Sequence, residues 1–187
     1  ARRDFIPTND PRQRHQNNIA LLTQGSYDVA YISDHLGDFG RYVPFQTALP
    51  RPVVGDHGLR ISGWHWTWER HGAPQLNQRF ARKAKRNMTE PDWAAWAAVK
   101  SVVEAVTRTK RTDSKSIAGY LRGNQFVLDG YKGTPGSFRK WNNQLRQPVL
   151  LHTHDAVIAR APLDGYLHKT TTLDTLGDDA PNSACRF

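Results

Sequence analysis

The stretch from Thr89 to Thr109 constrains this chain most, because it predicts a long helix that needs cover. Thr89-Glu90-Pro91-Asp92 offers a cap, two acids against the positive end of the helix dipole and a proline in the first turn. Trp93, Trp96, Val99, Val103 and Val106 then recur at spacings of three and four, so one face is apolar for about five turns. A second amphipathic helix is expected over Gln75–Arg86, with Leu76 and Phe80 inward and Arg79, Arg82, Lys83 and Arg86 mostly outward.

Upstream, Asp10 to Thr23 reads as a polar helix that Asp10 caps, with Ile19, Leu21 and Leu22 marking the end that packs inward. Gly25 ends it, and the apolar run Tyr27–Asp34 follows as a buried strand opening into a polar loop. Helix, glycine and buried strand form the rhythm of an α/β fold with a mostly parallel sheet. Pro44, Pro50 and Pro52 make residues 40–52 a connection, and Gly58–Trp66 carries a second strand. Asp113 caps a short helix through Leu121, closed by Gly123. Residues 126–128, 136–138 and 148–152 are strand-like, and the tail after Thr172 is polar and irregular.

The chain has 187 residues, enough for one large domain or two small ones. No apolar run approaches the roughly 20 residues of a membrane span. One cysteine, Cys185, excludes a disulfide framework within the chain and a cysteine-built zinc site. The sequence opens at Ala1 with no apolar leader, so a targeting segment is expected to be already removed or never present. The net charge is +9, and residues 51–150 concentrate it with 18 basic against 7 acidic side chains. Such a middle fits nucleic acid, an anionic membrane surface or an acidic protein, or simply a solvated face. Arg79–Arg86 is its densest part, but one inward Phe supplies no interleaved aromatics.

The chemistry-bearing patterns are few. On a strand, Trp64, Trp66 and Trp68 would share one face, either as a stacking platform or as a core seam. His152 and His154 alternate likewise, yet two histidines without a third ligand read as a surface pair rather than a metal site. Asp34 and Asp38 form a loop carboxylate pair of the kind that usually caps turns. No nucleophile elbow, phosphate loop or reactive-cysteine setting is present. An enzyme is not expected, nor a cofactor or metal.

Several long strings together carry a resemblance: Asp34-His35-Leu36-Gly37-Asp38-Phe39-Gly40-Arg41-Tyr42-Val43-Pro44, Pro50-Arg51-Pro52-Val53-Val54-Gly55, Trp64-His65, Gly72-Ala73-Pro74-Gln75-Leu76-Asn77, Ala95-Trp96-Ala97-Ala98-Val99-Lys100, Gln144-Leu145-Arg146-Gln147-Pro148 and Leu173-Asp174-Thr175-Leu176-Gly177. Over nearly its whole length the chain resembles the substrate-binding proteins of ABC transporters that accompany pyrroloquinoline-quinone-dependent (PQQ-dependent) alcohol catabolism. These are type I periplasmic binding proteins of the leucine-binding-like kind. The resemblance implies a three-layer αβα sandwich, of which this chain matches the second half of a two-lobe fold. Family members are roughly twice this length, on the order of two α/β lobes.

On that resemblance, residues 1–62 are a lobe-two segment, 63–125 hold the crossover and lobe-one helices, and 126–187 return to lobe two with a polar tail. Ligands of this fold sit between lobes at the carboxyl ends of strands. The ligand-binding candidates are then Tyr31, Ser33 and Asp34 at a strand end and Asp56 and His57 in a loop, with Trp64 and His65 at the crevice floor. The implied protein is periplasmic and binds a small polar solute, with an ABC permease as partner and a first-half chain or a second copy completing the fold. Cys185 would find its disulfide partner in that half. The rival reading is a basic interaction module whose 51–150 surface docks an acidic partner, a dehydrogenase or, less favoured, nucleic acid.

Overall fold

The computed structural model describes residues 2–4, 17–34, 39–56 and 58–185. The chain divides into two compact units, Ala1–Arg60 and Ile61–Phe187. Its mixture of helices and sheets is that of an α/β protein. Among the described residues the strands form three small sheets, of two, three and two strands, and one pair in the first unit is parallel.

In the first unit, α1 is the single turn Ile19–Leu22, capped by the Asn18 side chain, which accepts from the Leu21 amide. Most of the expected helix from Asp10 lies outside the described residues. Thr23 closes the turn, its hydroxyl donating to Ile19 O at 2.7 Å and accepting from the Ala48 amide at 2.8 Å. The expected strand 27–34 is shorter, β1 Ala30–Ile32, and it pairs in parallel with β2 Val53–Gly55 in the register Ala30↔Val53 to Ile32↔Gly55. Gly55 has φ 126°, and a Cβ there would sit 1.9 Å from the Ile32 carbonyl oxygen, so only glycine allows this close pairing. A six-residue 3₁₀ segment, Gly40–Phe45, with Gly40 and Val43 buried, connects them.

The strand β3, Arg60–Ser62, spans the 60/61 division and leads into the second unit. The strand expected through Trp66 stops at Ser62, because the Gly63 amide turns to the Glu90 carboxylate and the Ser62 hydroxyl donates to Trp64 O at 2.9 Å. The three indoles therefore do not share a strand face. Trp64 and Trp68 are buried, whereas Trp66 is exposed. Two helices follow, α2 Ala73–Ala84 and α3 Glu90–Thr109. Asp92 closes the α3 cap, accepting from the Thr89 amide at 2.9 Å and the Thr89 hydroxyl at 2.6 Å. It also pairs with Arg86 of the preceding turn.

The buried stripe of α3 is not the tryptophan–valine face. It runs Trp93, Ala97, Ser101 and Ala105, every fourth residue, and Val99 is 65% exposed with Val102 and Val103 also open. The physical reason is close packing. Small side chains let a neighbouring backbone come near, and α4, Ser114–Leu121, packs against α3. Asp113 caps α4, its carboxylate accepting from the Ser116 amide at 2.9 Å.

Beyond α4 the chain is short-stranded. Strands β4 Ser137–Phe138 and β5 Leu145–Arg146 pair antiparallel, as do β6 Val149–His152 and β7 Val157–Ala161, and β3 adds to the latter in the order β3-β6-β7. One core joins these strands to the helices: Trp64, Trp68, Leu76, Met88, Trp93, Ala97, Phe126, Leu128 and Leu150. Residues 63–125 and 126–187 thus share a single interior, and the division of the chain falls at 60/61. The tail expected to be irregular holds two 3₁₀ turns, Thr172–Thr175 and Ala180–Asn182. Asp174 anchors the first, accepting from Arg139 at 2.8 Å and Arg146 at 2.7 Å. No described helix is long and apolar enough to cross a membrane.

Two substitutions test this packing by chemical denaturation. Trp64→Ala should cost about 3–5 kcal/mol through lost burial and a cavity, and Trp96→Ala, half-buried, clearly less. Equal costs would show that the stacked pair is not the centre of the core. Asp174→Ala leaves Arg139 buried without its carboxylate and should cost about 3–5 kcal/mol; a loss near that of an exposed ion pair would remove the anchor.

Candidate functional site

In the first unit the carboxyl ends of β1 and β2 bring two of the expected residues together. Asp56 Oδ1 accepts the Asp34 amide at 2.8 Å, the Asp56 amide donates to Ile32 O at 3.1 Å and the Gly58 amide to Asp34 O at 2.9 Å. Asp34 is buried, and its Oδ2 accepts the amides of Phe39 at 3.0 Å and Gly40 at 2.6 Å. Asp34 therefore holds the start of the 3₁₀ segment at Gly40, a backbone-bonding role that loop aspartates after strands commonly take. Asp56 is half-buried and spends one carboxylate oxygen on Asp34, which leaves Oδ2 for a donor from outside. Tyr31 and Ser33 are exposed, Tyr31 at 72%. His57 and Asp38 lie outside the described residues. A cavity of about 260 Å³ opens on the same unit, lined by β1 residues with Ile19, Leu22, Phe39 and Val43.

In the second unit Trp64 is a core residue at 2% exposure. It stacks on Trp93 with ring centres 6.0 Å apart and planes 9° from parallel, and its Nε1 donates to Asn77 Oδ1 at 3.1 Å. That placement answers the choice between stacking platform and core seam in favour of the seam, because a satisfied and covered indole presents no face to a solute. His65, beside it, is half-buried and lies over His152 at 4.1 Å between ring centres. Burial first, and then the neighbouring His152, pull the His65 pKa from 6.5 to about 4, against an opposing pull from Asp155.

His152 and His154 do not form the expected surface pair. Strand alternation puts His152 on the buried face with Leu150, and β6 ends there, which leaves His154 exposed beside Asp155 at 3.6 Å. Among the described residues no group of three His, Cys, Asp or Glu side chains is placed to hold a metal ion.

The sequence reading missed a buried lysine. Lys132 is 1% exposed, its ammonium 3.5 Å from the centre of the Trp93 ring, and it donates to Gln147 Oε1 and to Pro148 O at 3.2 Å. Burial pulls its pKa from 10.5 to about 7, while the Glu90 carboxylate works in the other direction. The signal was faint, since a lone lysine in the turn Gly130–Gly133 looks like any surface residue.

No family model matches this chain, and no curated protein or solved structure is significantly similar to it.

The His65 geometry sets a pH dependence. Its folded pKa lies below the unfolded value, so the neutral imidazole favours the folded state fully above about pH 6.5, and that contribution is lost as pH falls from 6.5 towards 4. Urea denaturation at pH 7 and pH 5 should show a larger loss for the native protein than for His65→Gln. Equal losses would mean that His65 does not titrate in this way.

Proposed function

We propose that this chain is the solute-binding part of a periplasmic, non-enzymatic component of an ABC importer linked to PQQ-dependent alcohol oxidation. The observation that carries the reading is the pair Asp34 and Asp56 at the carboxyl ends of parallel β1 and β2. In open α/β folds this is where ligands bind, and Asp56 Oδ2 suits the hydroxyl or ammonium of a small polar solute. The division of the chain at 60/61 falls two residues from the crossover that the resemblance implies.

The finer fold belongs to the same proposal: a type I binding-protein sandwich completed by further strands. A parallel pair with three residues per strand and Tyr31 and Val54 exposed supports this, because parallel sheets are ordinarily covered on both faces. A first-half chain or a second copy would supply those strands. The permease is the partner expected of the closed, loaded state.

One observation favours the rival reading. Arg79, Arg82, Lys83 and Lys85 lie exposed at and beyond the end of α2, a cationic face open to an acidic protein. Salt separates the two, since electrostatic docking weakens steeply with ionic strength and capture in a closed crevice barely responds.

Calorimetry with glycerol, ethanolamine and glycine as probes, each at low and physiological salt, tests the proposal. One of these classes should bind with little salt dependence, and Asp56→Asn should weaken it about tenfold, the loss of one charge-assisted hydrogen bond. Binding that Asp56→Asn leaves unchanged, or no binding by any of the three, would overturn it.

A further inference from the structure

The second unit holds a groove of about 910 Å³ that none of the site residues above uses, within the size range of small-molecule sites. One wall is α3, which lines it with Lys100, Glu104 and Arg108. These residues are four apart and share a helix face, so the two cations sit about 12 Å apart along the axis. The other wall is the extended stretch around Val127 and Leu128 with the turn Gly133–Pro135.

The charges on this face are unequally matched. Glu104 is paired, taking Arg108 Nε at 2.8 Å. The Asp129 carboxylate gives one oxygen, Oδ1, to the Tyr131 amide at 3.0 Å. Among the described residues Lys100 has no carboxylate partner. Its ammonium donates to the Asp129 carbonyl at 2.8 Å and rests 5.0 Å from the Trp96 ring centre and 5.1 Å from that of Tyr131. Two of its three N–H donors are unspent, as are the terminal nitrogens of Arg108. Lys100 is thus a positioned cation between two rings, not a swinging surface lysine.

The opposite wall is conformationally strained where it faces this cation. His71 and Tyr131 both adopt left-handed backbone, at φ 54° and 60°, and Gly133 does so at φ 81°. A Cβ at Gly133 would lie 2.3 Å from His71 Nε2, so the ring lies flush against the turn only because that residue is glycine. Strain of this kind concentrates at binding sites, where the surrounding structure holds it. Arg160 braces the same turn, donating to Lys132 O at 2.6 Å and to the Thr134 hydroxyl at 2.9 Å. Between the two cations on the helix stands Glu104, bonded to Arg108, and the apolar part of the facing lining is Val127, Leu128 and Pro135, with Val127 exposed.

We infer that this groove binds a small dicarboxylate with an apolar body, one carboxylate on Lys100, the other on Arg108, and the chain between them lying on Val127 and Pro135. The site is separate from the Asp34–Asp56 pair and stands whether or not the crevice reading holds.

Calorimetry of the full chain with suberate tests it, with octanoate as the single-carboxylate control. Suberate should bind at least about tenfold more tightly than octanoate, and Lys100→Met and Arg108→Ala should each weaken it by about tenfold or more. Arg108 is largely exposed, so its variant should fold even if loss of Lys100 disturbs the Trp96–Tyr131 packing. Asp56→Asn should leave suberate binding unchanged, which distinguishes this site from the first-unit one. Equal affinity for suberate and octanoate, no binding of suberate, or a folded Arg108→Ala variant with native affinity would overturn the proposal.

Discussion

The Trp93 indole is the contact on which the second unit depends. One ring stacks on Trp64, donates its N–H to the Gly130 carbonyl at 3.1 Å and carries the Lys132 ammonium on its face. Through Trp64 it reaches α2, because Trp64 Nε1 is held by Asn77. Through Lys132 it reaches the β5–β6 connection at Gln147 and Pro148. A buried indole needs a partner for its N–H, and each of Trp64, Trp68 and Trp93 has one, which fixes ring orientation as well as position. The core is therefore specified by directed bonds on a hydrophobic layer, and the chain folds its strands around three rings rather than around one broad sheet.

A second set of charges fixes the end of the chain. Arg139 and Arg146 converge on one oxygen of Asp174, and Arg139 also donates to the carbonyls of Leu173 and Leu176. Burial works against the Asp174 charge, but hydrogen bonds from Arg146 and Arg139 outweigh it and hold the carboxyl below its ordinary pKa. Such a network adds less net stability than its short distances suggest, since the ions were solvated before folding. Its consequence is geometric: a polar tail with few apolar residues acquires a defined path over β4 and β5.

The helix α3 shows how a correct reading of an element can still misplace its faces. The cap and the start follow from Thr89, Pro91 and Asp92, because those effects are local. Which face is buried is not local. Tryptophans and valines at three- and four-residue spacings announce one stripe, yet Ala97, Ser101 and Ala105 are the residues buried behind Trp93. Small residues carry little hydrophobic signal, and their value lies in how near another backbone can come. The tryptophan series failed for a related reason, since the strand that would have aligned the indoles is cut at Gly63 by Glu90, 27 residues away.

The sequence by itself determined α2, α3 and α4, the caps at Thr89 and Asp113, the α/β mixture and the short strand ending towards Asp34, because each depends on residues within a few positions of one another. Tertiary structure alone decided that Trp64 is core, that His152 turns inward to meet His65, that Lys132 is buried, and that Lys100 and Arg108 share a groove with Val127 and Pro135. Burial and charge pairing are properties of what surrounds a residue, and here the surroundings come from distant segments brought together by the tryptophan core.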